Sequence, residues 1–103
     1  MTAYKHTFRA KLWLYDGAGA WHFVTLPKAL AAEIRFFAAG PRRGFGSVRV
    51  VANIGESSWR TSIFPSKNAG SYLLPVKGEI RRAERLEVGR MVKVTLAIEG
   101  REI

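Results

Sequence analysis

The chain has 103 residues, 48% of them hydrophobic, no cysteine, and a formal net charge of +9 from 17 Lys+Arg against 8 Asp+Glu. Length and apolar content suit one domain over residues 1–103 with a modest core, and the lack of cysteine excludes a disulfide framework, a thiol nucleophile and a cysteine zinc site. No apolar run of about eighteen residues occurs, and Met1-Thr2-Ala3-Tyr4-Lys5-His6 is unlike a signal peptide, so a soluble, cytoplasmic chain without a membrane partner is expected.

His6, Phe8, Ala10, Leu12 and Leu14 alternate with Thr7, Arg9, Lys11, Trp13 and Tyr15, the period of a half-buried strand. Asp16-Gly17-Ala18-Gly19 reads as its hairpin turn and Trp21 to Thr25 as the returning strand. Pro27 suits the first turn of a helix whose Leu30, Ile34 and Phe37 share one face and which Gly40-Pro41 ends. A basic loop, Arg42-Arg43-Gly44, leads to a strand in which Val48, Val50, Ala52 and Ile54 alternate. Beyond Gly55-Glu56, the pattern predicts a strand from Trp59 to Phe64, a loop from Pro65 to Gly70 and a short strand from Tyr72 to Leu74. Pro75 then opens a second helix, with Ile80 and Ala83 inward and Lys77, Arg81 and Arg85 on one face. Gly89 closes a turn before the last strand, where Val92, Val94, Leu96 and Ile98 alternate.

Short strands with two brief helices predict an all-β chain closed as a barrel rather than a βαβ sheet. The apolar phases place Phe8, Leu12, Phe23, Leu30, Ile34, Val48, Val50, Ile63, Ile80, Val92, Val94 and Leu96 in its core.

The elements also recur in order. Phe8 through Trp21 lies over Trp59 through Tyr72 without a gap, aromatic on aromatic and aliphatic on aliphatic, with Arg9/Arg60, Ala18/Ala69 and Gly19/Gly70 identical. A Leu-Pro step (Leu26-Pro27, Leu74-Pro75), an Ile-Arg pair (Ile34-Arg35, Ile80-Arg81) and a valine strand (Val48-Arg49-Val50, Val92-Lys93-Val94) follow in each half. Two strand–strand–helix–strand units, residues 4–54 and 57–98, are each too small to bury a core alone and would have to pack together. Two unrelated hairpins sharing an amphipathic pattern would give a similar match, and the first half is three residues longer before its Leu-Pro.

Leu74-Pro75-Val76-Lys77-Gly78-Glu79-Ile80-Arg81-Arg82-Ala83, leading to Val88-Gly89-Arg90-Met91-Val92-Lys93-Val94, resembles the swapped-hairpin module of AbrB/MazE-type transition regulators. Thr25-Leu26-Pro27 to Ile34-Arg35 carries a weaker version. Those regulators build a double-split β-barrel from two chains, so the resemblance implies the same barrel from two tandem AbrB-like halves in one chain. Over nearly its whole length, through Trp21, Leu26-Pro27, Gly44 to Val50, Ile54-Gly55, Ser58 to Pro65 and Tyr72 to Lys77, the chain also resembles a bacterial and archaeal family. That family is classed only as a domain of unknown function and is sometimes fused to a YdeI/OmpD-associated segment. Both patterns expect an acid after the glycine of the late turn, where this chain has Arg90.

Catalytic chemistry has few candidates. Asp16 is the lone aspartate, neither His6 nor His22 has a metal-ligand partner at suitable spacing, and the glutamates read as solvated or ion-paired, so neither an enzyme nor a metal or cofactor site is expected. Gly44-Phe45-Gly46-Ser47 precedes a strand rather than a helix and reads as turn geometry, not a phosphate loop.

The net positive charge favours anionic partners, and two arrangements stand open. Arg42, Arg43, Arg81, Arg82 and Arg85 as one stripe would suit nucleic acid, the resemblance placing Arg81 and Arg82 where the AbrB-like regulators contact DNA, with Trp13 and Tyr15 stacking on bases. Arg49, Arg60 and Lys77 converging with Trp59 and Ser62 would instead form a pocket for a phosphate, a carboxylate or a protein partner. Either makes the chain a non-catalytic binding module, for which a monomer is sufficient.

Overall fold

The computed structural model describes residues 4–17, 19–37 and 46–98. Along them run β1 (Tyr4–Leu14), β2 (His22–Thr25), α1 (Lys28–Phe37), β3 (Val48–Ile54), β4 (Ser57–Ser66), β5 (Ser71–Pro75), α2 (Gly78–Ala83) and β6 (Met91–Ile98). The six strands close an antiparallel barrel in the order β1-β2-β5-β4-β3-β6, with β6 back on β1. β1 and β4 each serve two neighbours in turn: β1 pairs with β6 through Tyr4–Lys11 and with β2 through Leu12–Leu14, and β4 with β3 through Ser57–Ile63 and with β5 through Phe64–Ser66.

Alternation decides the inside. Val48, Val50, Ala52 and Ile54 of β3 and Val92, Val94, Leu96 and Ile98 of β6 are buried, opposite Phe8 and Leu12 of β1 and Ile63 of β4. From α1, which packs against β5, Leu30, Ala31 and Ile34 join the core, and from α2 Ile80 does. Two residues expected to face inward do not: Ala83 of α2 is exposed, and one strand residue is misplaced. Phe23 is half-buried, whereas Val24, paired with Leu12 and Leu74, is fully buried. In a four-residue strand with adjacent apolar side chains, period alone does not fix the phase. Phe37 and the segment Gly40-Pro41 to Phe45, with Arg42 and Arg43, fall outside the described side chains.

The prolines differ from expectation. Pro65 lies within β4, paired with Tyr72, and Pro75 ends β5, paired with Phe23. Neither offers a donor, but Val76 N–H donates to His22 O at 2.9 Å and carries the pairing past Pro75. The second helix therefore starts only at Gly78, with Lys77 as its extended cap residue. Its end is a Schellman motif: Leu86 N–H donates to Arg81 O at 2.9 Å and Arg85 N–H to Arg82 O at 3.3 Å, with Arg85 in the left-handed region at φ 56°. Arg85 is thereby turned off the helical face it was expected to share with Lys77 and Arg81. At the late turn, Gly89 N–H donates to Leu12 O at 2.8 Å and Leu12 N–H to Arg90 O at 3.1 Å. Backbone groups close that turn, so no acidic side chain is needed at Arg90.

The strand order is unchanged when β1, β2 and β3 are exchanged with β4, β5 and β6. The registers follow: Trp13–Phe23 goes onto Phe64–Leu73, Leu14–His22 onto Pro65–Tyr72, Phe8–Val94 onto Trp59–Ala52 and Lys11–Met91 onto Ser62–Arg49. Leu26 N–H to Tyr72 O at 3.0 Å corresponds to Val76 N–H to His22 O at 2.9 Å. Under this exchange Leu26-Pro27 meets Val76-Lys77 rather than Leu74-Pro75, and Val50 meets Val92. These two sequence alignments were displaced by two residues, a slip that preserves which face is apolar and so goes unnoticed in the pattern. Tyr72 meets His22 rather than Trp21, so the gapless match does not extend to the second strand of each half.

Candidate functional site

Two clefts share one side of the barrel, each assembled from strand ends and hairpin turns. The first, of about 360 Å³, is lined by Gly19–His22, Trp59–Thr61, Pro75–Gly78 and Arg81. Arg60 projects from the outer face of β4, and Lys77 and Arg81 stand at the cap and in the last turn of α2. Arg81 Nε donates to Val76 O at 3.2 Å, fixing its guanidinium against the wall. A Cβ added at Gly78 would lie 3.2 Å from both Arg81 Nη2 and Arg82 Nη1, so the two guanidiniums flank that glycine and Arg82 stands beside the cleft. Glu79 is a carboxylate near Lys77, with Oε1 3.7 Å from Lys77 Nζ, both side chains largely exposed. Opposite the cations, His22 Nδ1 donates to Ala20 O at 3.1 Å, which puts the neutral ring's proton on Nδ1. Trp59 is partly buried against the core while also lining the cleft.

The second cleft, of about 720 Å³, is aromatic. Trp13, Tyr15, Trp21, Phe23, Phe64 and Leu73 line it, with Asp16, Ser66, Asn68 and Ala69 at its polar margin. Its floor is the outer face of β1, β2, β5 and β4, where Trp13 pairs with Phe23 and Phe64 with Leu73. Trp13 Nε1 donates to Thr25 Oγ1 at 2.9 Å, which satisfies the indole and orients it. Trp21 stacks on Phe23 with centroids 6.0 Å apart and planes 7° from parallel, Trp13 is tilted against Phe23 at 5.2 Å, and Tyr15 meets it edge-on at 6.3 Å. Gly19, at φ +97°, permits this hairpin, since a Cβ there would fall 3.0 Å from the Trp21 indole. The outward rings remain in solvent: Trp21 is 54% exposed, Tyr15 47% and Phe64 43%. Trp21 lines both clefts and joins them into one surface.

Of the expected pocket, Trp59, Arg60 and Lys77 come together. Arg49 and Ser62 do not join them; they face one another across β3 and β4, outside the cleft lining. Of the expected stripe, Arg81 and Arg82 border the same cleft, whereas Arg85 lines a separate depression with Glu84, Glu87 and Arg90. Arg42 and Arg43 lie outside the described residues. The stripe and the pocket thus overlap at α2. The aromatic cleft as a unit escaped sequence reasoning, although Trp13 and Tyr15 stood out as surface aromatics. The available signal was phase: Trp13 and Phe64 occupy equivalent outward positions of β1 and β4, where an aromatic is not needed for the core.

Other polar groups serve the fold. Glu84 accepts from Ser57 Oγ at 2.6 Å and Glu56 N–H at 3.2 Å, tying the end of α2 to the β3–β4 turn. His6 Nε2 lies 2.9 Å from Glu33 Oε1, linking β1 to α1. Among the described residues, no three His, Cys, Asp or Glu gather as a metal site, and no helix is long and apolar enough to cross a membrane.

A family model described as a domain of unknown function, DUF1905, matches residues 8–96, nearly all of the barrel. The chain belongs to the DUF1905 family. No curated protein matches it. Membership in this family names no ligand, so the chemistry has to come from the two clefts.

Proposed function

We propose that this DUF1905 chain is a non-catalytic binding module that holds a phosphate-bearing ligand in the cleft of Arg60, Lys77 and Arg81. The observation carrying this reading is the convergence of those cations, with Arg82 beside them, on one concavity of about 360 Å³ in a chain of net charge +9. Arginine and lysine donate only, so such a cleft selects acceptor-rich anions, and the wider positive field steers them in. The lone aspartate sits at the aromatic margin and both histidines are engaged with Ala20 O or Glu33, an arrangement that supports binding rather than acid–base chemistry.

We further infer that the two halves descend from one duplicated unit and form a double-split barrel of the AbrB type. The invariance of strand order and register under their exchange supports this. The test of function is titration with an abasic oligodeoxynucleotide, a phosphate backbone without bases. The native chain should bind with a log–log salt slope of about −0.7 per phosphate neutralised. Lys77→Ala with Arg81→Ala should weaken binding and flatten that slope by about two contacts. No salt-dependent binding, or binding indifferent to both substitutions, would refute the reading.

A further inference from the structure

The aromatic cleft adjoining the basic one points to a narrower ligand class, an inference that rests on the phosphate-binding reading above. We propose that the combined surface binds single-stranded nucleic acid, with phosphates at Arg60, Lys77, Arg81 and Arg82 and unstacked bases against Tyr15, Trp21 and Phe64.

Three observations favour this occupant. The aromatic rings lie on the outer sheet face, 43–54% exposed at Phe64, Tyr15 and Trp21, although burying them would favour the fold. Trp21 belongs to both linings, so a chain leaving the cations runs directly onto aromatic faces. An alternation of cationic groove and stacking platform is how proteins hold single strands, because every base has a π-face and every nucleotide a charge. Within a duplex those faces are occupied by neighbouring bases, and a lateral aromatic cleft cannot reach them. A mononucleotide would leave most of the cations and rings unused. Asp16, Ser66 and Asn68 at the margin offer hydrogen-bond partners to base edges. A proline-rich peptide would suit the aromatic cleft alone but has no use for the adjoining cations.

All three tryptophans, Trp13, Trp21 and Trp59, line one cleft or the other, so intrinsic fluorescence reports occupancy directly. The experiment compares a single-stranded oligodeoxynucleotide of about ten nucleotides, within the usual site size for such proteins, with an abasic strand of equal length, the matching duplex and a mononucleotide. The base-bearing strand should bind about tenfold or more tighter than the abasic one, from stacking, and should quench tryptophan emission. Tyr15→Ala and Phe64→Ala, both at exposed positions that line the aromatic cleft and not the basic one, should erase that advantage while leaving abasic binding intact. Equal affinity for base-bearing and abasic strands would overturn this inference and leave the phosphate cleft standing. Affinity for the duplex or the mononucleotide equal to that for the strand would also overturn it. Strand binding that responds to Tyr15→Ala and Phe64→Ala but not to Lys77→Ala with Arg81→Ala would overturn both readings.

Discussion

The two halves of the barrel are alike inside and unlike at their helices. Exchange of β1–β2–α1–β3 with β4–β5–α2–β6 sets Phe8 against Trp59, Leu12 against Ile63 and Val24 against Leu74, so the core is built from matching positions. Outside the barrel the match holds at Arg9 and Arg60 and at Trp13 and Phe64 but fails at the helices. Where the first half has Pro27, Ala31 and Ala32, the second has Lys77, Arg81 and Arg82. Helix α1 runs for ten residues and buries Leu30, Ala31 and Ile34; α2 stops after six and buries Ile80. The shorter helix has Arg81, which lines the cationic cleft, where α1 buries Ala31. Positions held in common serve mainly closure of the barrel; of the cations of the candidate site, Lys77, Arg81 and Arg82 stand where the halves part company and Arg60 where they agree.

That comparison is sharpest in the core. Leu12→Ala and Ile63→Ala, at equivalent positions 1% and 0% exposed, should each destabilise by roughly 2–5 kcal/mol in denaturant unfolding. A large cost at one and almost none at the other would mean that the halves are not packed as equivalents.

The helix tethers come next. Glu84, reaching Ser57 and the Glu56 amide, and Glu33, reaching His6, anchor the two helices to corresponding starts of β4 and β1. Glu84 receives two hydrogen bonds, one of them part-buried, so Glu84→Ala should cost about 1–3 kcal/mol. The His6–Glu33 pair is partly solvated, with side chains 35% and 55% exposed, so Glu33→Ala should cost no more than about 1 kcal/mol. Equal costs in thermal unfolding would erase this asymmetry.

The smallest effect is a gain. Arg85 holds a left-handed conformation that glycine adopts without steric penalty, so Arg85→Gly should stabilise the chain by about 0.5–1 kcal/mol. A loss of stability would assign the Arg85 side chain a contact worth more than its strain.

These asymmetries also explain what the sequence made legible. Period-two alternation located the described strands, because burial on one face imposes it on any sequence that closes a barrel, and the expected core residues other than Phe23 are buried, although Leu26, Tyr72, Leu74 and Val76 were not among those expected. It could not place Phe23, whose neighbour Val24 is equally apolar, nor detect that Pro65 and Pro75 remain in strands, since their partners come from remote segments. Alignment of the halves by Leu-Pro slipped by two residues for the same reason: the pattern repeats at that interval and only register distinguishes the alternatives. The site was half legible. Trp59, Arg60, Lys77, Arg81 and Arg82 were singled out, but their union depended on the turn of α2 onto the β4 strand and on the Gly19 hairpin that carries Trp21 to them. Arg49, Ser62 and Arg85 have the right chemistry at positions the fold directs elsewhere.

The central claim, that the cations holding the ligand belong to the second half, is tested most directly by one matched pair of substitutions. Arg9 and Arg60 are equivalent outward residues of β1 and β4, both exposed, so Arg9→Ala and Arg60→Ala remove the same charge from equivalent strand positions. Affinity for the abasic strand should fall about threefold to tenfold in Arg60→Ala, with the salt slope reduced by about 0.7, and should remain at the native value in Arg9→Ala. Equal losses in the two variants would show that net charge alone attracts the ligand and would contradict a site in the second half.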